Sequence, residues 1–89
     1  MTYQTLRVCS NRGALEAVPD GEVVLDLAAV RGRIEATGVS VLDCRVMLIA
    51  QMEREVTIGR DGRILIKTRD VAEAQRILER VVPLVGLPA

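Results

Sequence analysis

The sequence predicts an α+β two-layer sandwich, an antiparallel sheet with a three-stranded meander covered on one face by two helices. Three observations carry that expectation. Apolar side chains alternate from Leu42 to Ile66, two flanking stretches repeat them at helical spacing, and turn-type residues separate the segments. The meander strands are expected at about 41–52, 55–60 and 63–68, and the helices at about 27–37 and 70–82. Short N-terminal strands join the sheet.

Composition sets the scale. Of 89 residues, 49% are apolar and 27% charged, which suits a single α+β domain over 1–89. A chain this short buries only roughly 60–65% of the surface its unfolded form exposes, so it supports one modest core. It has one aromatic residue, Tyr3, and no histidine, which excludes a histidine-based triad, a histidine metal site and an aromatic platform for bases. Twelve basic residues balance twelve acidic ones, whereas a chain that neutralises phosphates carries a basic excess. No membrane span or secretory leader is expected: the longest apolar run, from Val46 to Ala50, is strand-sized, and the first five residues are neither basic nor strongly apolar. Two cysteines without CxxC spacing suit a reduced, cytoplasmic protein.

Along the chain, residues 5–9 and 14–18 are strand-like and flank the loop-type run Ser10-Asn11-Arg12-Gly13. Pro19-Asp20-Gly21 is a turn: proline fixes φ, and glycine accepts a positive one. Asp26 caps the first helix, whose apolar stripe is Leu27, Val30 and Ile34. Gly32 within it is expected to let a neighbouring element come close. Thr37-Gly38 ends the helix.

The period then changes to two. Leu42, Cys44, Val46, Leu48, Ala50 and Met52 define one apolar face, and Val56, Ile58, Ile64 and Ile66 continue that parity. A two-residue Asp61-Gly62 loop sends Ile64 and Ile66 to the wrong face. A three-residue loop, Arg60-Asp61-Gly62, sets Ile58 opposite Ile64 and Val56 opposite Ile66, with Gly62 left-handed. By the same parity Met52-Glu53-Arg54 reverses the chain and puts Ala50 opposite Val56. Asp70 and Glu73 form a capping-box-like pair at the start of the second helix. Val71, Ala74, Ile77, Leu78, Val81 and Val82 are its stripe, and Pro83 is expected to stop it. The apolar tail, 84–89, is expected to pack on this domain or on a partner.

Few residues carry chemistry. Cys9 ends a strand near Arg12, and a nearby cation raises a thiol's thiolate fraction, so Cys9 is a thiol candidate beside its reading as a small buried hydrophobe. Cys44 falls on the core parity. Arg60, Arg63, Lys67 and Arg69 surround the second turn and could hold an anion or nucleic acid, although Asp61, Glu53 and Glu55 mix into the same region. Met47 and Ile49 are apolar on the otherwise wet parity. The candidate binding residues are therefore Arg12, Met47, Ile49, Arg60 and Arg63. No acid pair lies outside a cap, turn or wet face, so no catalytic acid, metal site or cofactor is expected.

The run from Asp26 to Gly38, a following strand, then Glu55-Val56-Thr57-Ile58-Gly59-Arg60-Asp61-Gly62-Arg63-Ile64-Leu65-Ile66-Lys67 and an alanine-containing helix resemble a known arrangement. It is the carboxy-terminal extension of E1-like adenylating enzymes of the thiamine and molybdopterin class, which activate ubiquitin-like sulfur carriers. Thr5-Leu6-Arg7-Val8-Cys9 is similar to the strand and cysteine that open that extension, so the resemblance spans about 5–82. These 89 residues hold neither the ATP-binding domain nor the zinc-binding cysteine pairs, and Ser10-Asn11-Arg12 stands where the family cysteine is followed by Gly-Arg. The resemblance implies a stand-alone accessory domain, with Cys9 and Arg12 as the residues that carry over.

The expectation is a small non-enzymatic protein-interaction domain linked to sulfur-carrier activation or sulfur transfer. Its partner is a protein or a second copy, met through the exposed sheet face or an edge strand, and not a membrane. A thiol-dependent sulfur-handling enzyme using Cys9 is the alternative. Anion or nucleic-acid binding by the basic hairpin at 60–69 is a weaker one.

Overall fold

Alternation and turn geometry together set the register of a six-stranded antiparallel sheet. A computed structural model describes residues 7–9, 13–19 and 21–86, with the side chains of 7–9 left aside. The strands are β1 (Arg7–Cys9), β2 (Ala14–Ala17), β3 (Ser40–Asp43), β4 (Met47–Gln51), β5 (Glu55–Gly59) and β6 (Ile64–Ile66). The helices are α1 (Leu27–Glu35) and α2 (Val71–Val85). Strand order is β1-β2-β6-β5-β4-β3. From β2 the chain crosses through α1 to the far edge at β3, returns strand by strand to β6 beside β2, and recrosses through α2.

Both helices lie on one face of the sheet, α1 over β3 and β4, α2 over β6 and β2. Beneath them run two cross-strand rows. One links Leu48, Ile58, Ile64 and Ala17, and the other Ala50, Val56, Ile66 and Leu15. All eight are at most 1% exposed. Val30 and Ile34 of α1 and Ala74, Ile77, Leu78, Val81 and Val85 of α2 close over them.

The turns explain the register. Gly62 N–H donates to the Gly59 carbonyl at 3.0 Å, and Gly59 N–H to Arg63 at 2.8 Å. The Asp61 carboxylate accepts from Arg63 N–H at 3.1 Å, and Gly62 sits at φ 89°. This is the expected three-residue turn, and it sets Ile58 against Ile64 and Val56 against Ile66. Ala50 faces Val56 across the 52–54 turn. Gly62 also lies so close to the segment before α1 that a Cβ would stand 3.0 Å from Pro19 Cγ.

Several expectations are corrected. Residues 41–52 are two strands, not one. Asp43 accepts from Arg45 N–H at 2.8 Å, Arg45 adopts φ 70°, and Val46 N–H closes a γ-turn onto the Cys44 carbonyl at 2.8 Å. Cys44 N–H donates to the Met47 carbonyl at 2.9 Å, so the loop is the two residues Arg45-Val46 and parity inverts across it: Val39 and Val41 pack on the core, while Leu42 and Val46 are exposed and Cys44 is half-buried beside the turn. Gly32 faces open space, so no neighbour explains it.

Pro83 does not stop α2, which continues to Val85 and ends at Gly86 in the left-handed conformation. The extra turn buries Val85 and half-buries Leu84, and Arg33 Nε donates to the free Leu84 carbonyl at 2.7 Å. A cation from α1 thus caps the negative end of α2. The apolar tail therefore packs, over 84–86, on its own domain; 87–89 lie outside the described residues. Finally, Val71 is exposed rather than part of the stripe, and the capping box is half made. Asp70 accepts from Ala72 and Glu73 N–H, but Asp70 N–H donates to Thr68 Oγ1. The Glu73 carboxylate turns instead to Arg54 Nε, 2.7 Å away on the 52–54 turn, while Glu53 pairs with Arg80.

These contacts generate two predictions. Gly62→Ala meets both a positive φ and a crowded Cβ site, and is expected to lower unfolding free energy by about 1–3 kcal/mol. Gly32→Ala, in a helix with open space around it, is expected to raise it by about 0.5–1 kcal/mol. Urea denaturation of the two variants should show these opposite signs.

The Thr68 hydroxyl first, and then the Arg54 guanidinium, hold the Glu73 carboxyl below its usual value near 4.5; Arg80 does the same for Glu53. A carboxyl with a lowered folded pKa contributes its full stabilisation above the unfolded value and loses it as pH falls through the folded one. The urea midpoint is therefore expected to drop on acidification below about pH 4.5, with a shallower slope in Glu73→Gln. An identical slope in that variant excludes this linkage.

Candidate functional site

The sheet has a second face that, among the described residues, no helix covers. Side chains pointing there come from the positions between the core residues, and the pairings line them into a row: Leu42 faces Ile49, Ile49 faces Thr57, Thr57 faces Leu65, and Leu65 faces Glu16. Leu42 is 60% exposed, and Ile49, Thr57 and Leu65 are half-buried by one another. An apolar strip thus crosses four strands at right angles to their direction.

Charges flank the strip, paired by sign. On one side Lys67 Nζ lies 3.1 Å from Glu55 on the neighbouring strand. On the other, Arg63 lies 3.5 Å from Asp61 and 3.9 Å from Glu16. On that second side the strip widens into a shallow groove of about 450 Å³, floored by Met47, Thr57, Gly59 and Leu65, with Val46 exposed at its edge. Arg60 stands at its rim. Its backbone is fixed at both ends, N–H to the Val46 carbonyl at 2.9 Å and carbonyl to Leu25 N–H at 2.8 Å.

Of the sequence candidates, Met47, Arg60 and Arg63 come together at this groove, and Ile49 lies beside it in the strip. Cys9 belongs to edge strand β1, where its backbone pairs with Ala14, and Arg12 lies outside the described residues. The basic hairpin is not one patch. Asp61 and Glu16 neutralise Arg63, Glu55 neutralises Lys67, and Arg69 points away along Gly13. Exposed pairs of this kind contribute about 0–1 kcal/mol each and leave little net field for a polyanion.

Leu42, Thr57, Leu65 and Glu16 complete the surface and were missed by sequence reasoning. The register expected for β4, β5 and β6 already implies that Ile49, Thr57 and Leu65 align. Leu42 was hidden by the inverted parity. Among the described residues, no group of three or more histidine, cysteine, aspartate or glutamate side chains could hold a metal ion, and no helix is long and apolar enough to cross a membrane.

What this geometry defines is an α+β domain with a helix-covered core and an open, apolar-striped sheet face. No family model, curated protein or solved structure matches the chain.

The two faces are expected to answer differently to substitution. Ile58→Ala should cost about 2–5 kcal/mol, as a large-to-small change in a sealed core does. Ile49→Lys, whose long stem can lie along the strip with its charge in water, should cost under about 1 kcal/mol. Equal losses in urea denaturation would show that the second face is covered.

Proposed function

We propose that this protein is a small non-enzymatic interaction domain that docks another protein on its open sheet face and works in the cytoplasm. The observation that carries this reading is the strip Leu42–Ile49–Thr57–Leu65, apolar across four strands and flanked by ion pairs. An apolar centre with a polar, solvated rim is the anatomy of protein interfaces. A solvated sheet face without a partner alternates to polar side chains instead. Sulfur-carrier activation is the proposed setting, through the resemblance of 26–38 and 55–67 to the extension of the E1-like adenylating enzymes. In that setting the domain is an accessory that holds a carrier or its activating enzyme.

The test is an amide NMR titration of the labelled chain with the ubiquitin-like sulfur carrier, and separately the E1-like enzyme, of the same organism. Shift changes are expected to cluster at Leu42, Met47, Ile49, Thr57 and Leu65, and to vanish in Ile49→Lys. A spectrum unmoved by either protein rejects the sulfur-carrier setting. Changes confined to the helical face reject the docking surface.

A further inference from the structure

We infer that the open face also accepts the same face of a second copy of this chain, forming a two-fold dimer. This inference rests on the docking reading above and names one partner for that surface. Three features of the face select a second copy.

The first is charge. Beside Arg60 at the groove rim, the charged side chains flanking the strip have opposite-sign neighbours in their own chain: Lys67 with Glu55, and Arg63 with Asp61 and Glu16. With twelve charges of each sign in the whole chain, two copies approach without net repulsion. A polyanion finds no excess of cations to neutralise.

The second is size. The molecule measures 29 × 27 × 21 Å across its Cα atoms. The broad face thus has the extent that a standard interface covers, about 800 Å² per partner.

The third is the placement of the charges on the strands. Lys67 follows β6 directly opposite Glu55 of β5, and in the next row Leu65 of β6 is opposite Thr57 of β5. A two-fold axis running along the strands, between β5 and β6, exchanges these two strands. It lays each copy's Lys67 over the other's Glu55, and each Leu65 over the other's Thr57. The in-chain pairs then become a four-charge network beside the doubled Leu65–Thr57 contact, and in that row each Ile49 lies over the other copy's Glu16. Such a contact is isologous, so it closes on itself and stops at two copies.

Sedimentation equilibrium of the full chain, up to about 1 mM, tests this. The expected mass is twice 9.7 kDa, falling to one chain in Leu65→Lys, which sets two lysines beside the axis, with an unchanged far-ultraviolet dichroism spectrum. Glu55→Lys makes the network four lysines and Lys67→Glu four glutamates, so each variant alone is expected to self-associate at least about tenfold more weakly. An equimolar mixture of the two is expected to recover the dimer. A wild-type chain that stays at 9.7 kDa at the highest concentration overturns the inference, as does a dimer that Leu65→Lys leaves intact. A mixture that fails to recover overturns the axis between β5 and β6. A monomeric wild type that still shows strip-centred NMR shifts with the sulfur carrier removes the second copy alone and keeps the docking surface.

Discussion

Sheet and helices depend on the two cross-strand rows under the helices. Ile58 and Ile64 meet in one row, Val56 and Ile66 in the other, all four sealed from water. Fully burying a side chain of this size contributes about 1.5–3 kcal/mol relative to exposure. Side-chain direction alternates with every residue, so a slip of one position in the β5–β6 pairing would turn Ile64 and Ile66 toward water. The loss, about 3–6 kcal/mol, would be a large share of the whole stability of an ordinary small domain. Turn geometry is what prevents the slip. Gly62 supplies the positive φ of a three-residue loop, and the same glycine, lacking a Cβ, lets Pro19 and Val23 pack against it. The register of the sheet and the path of the chain into α1 are thus set at one residue.

That register also builds the other face. Pairing Ile58 with Ile64 on the core side obliges Thr57 to pair with Leu65 on the open side, and pairing Ala50 with Val56 brings Ile49 to Thr57. The apolar strip is therefore a geometric by-product of core register, made into a surface by the identity of the residues placed there. A strip of polar residues would leave the core unchanged. Stability and docking are carried by opposite parities of the same strands, which is why each can be altered without the other.

The β4–β6 meander was legible because its signals agree. Alternation, a glycine at the left-handed position and an aspartate in the turn all demand the same pairing, and both turns of that meander were placed to the residue. The β3–β4 reversal was not legible, because alternation continued straight through it. Leu42, Cys44, Val46 and Leu48 read as one apolar parity, yet the two-residue loop Arg45-Val46 places Leu42 and Leu48 on opposite faces. No glycine or proline marks that turn; Asp43 does the work by accepting from Arg45 N–H. Length was the available clue. A strand over 41–52 is about twice the usual five to six residues.

Helix ends failed for a related reason, since tertiary partners decide them. Proline in a helix interior costs about 3 kcal/mol through its missing N–H and its clash with the preceding turn. Pro83 pays this in a final turn where three things offset it: burial of Val85, packing of Leu84, and the Arg33 guanidinium on the Leu84 carbonyl. Arg33 lies 51 positions away in the chain. Nothing local announces that contact, and it joins the two helices that close the core. The same logic governs the open face. Its residues are ordinary one at a time, an isoleucine here and a leucine there, and only the pairing across four strands turns them into one continuous surface.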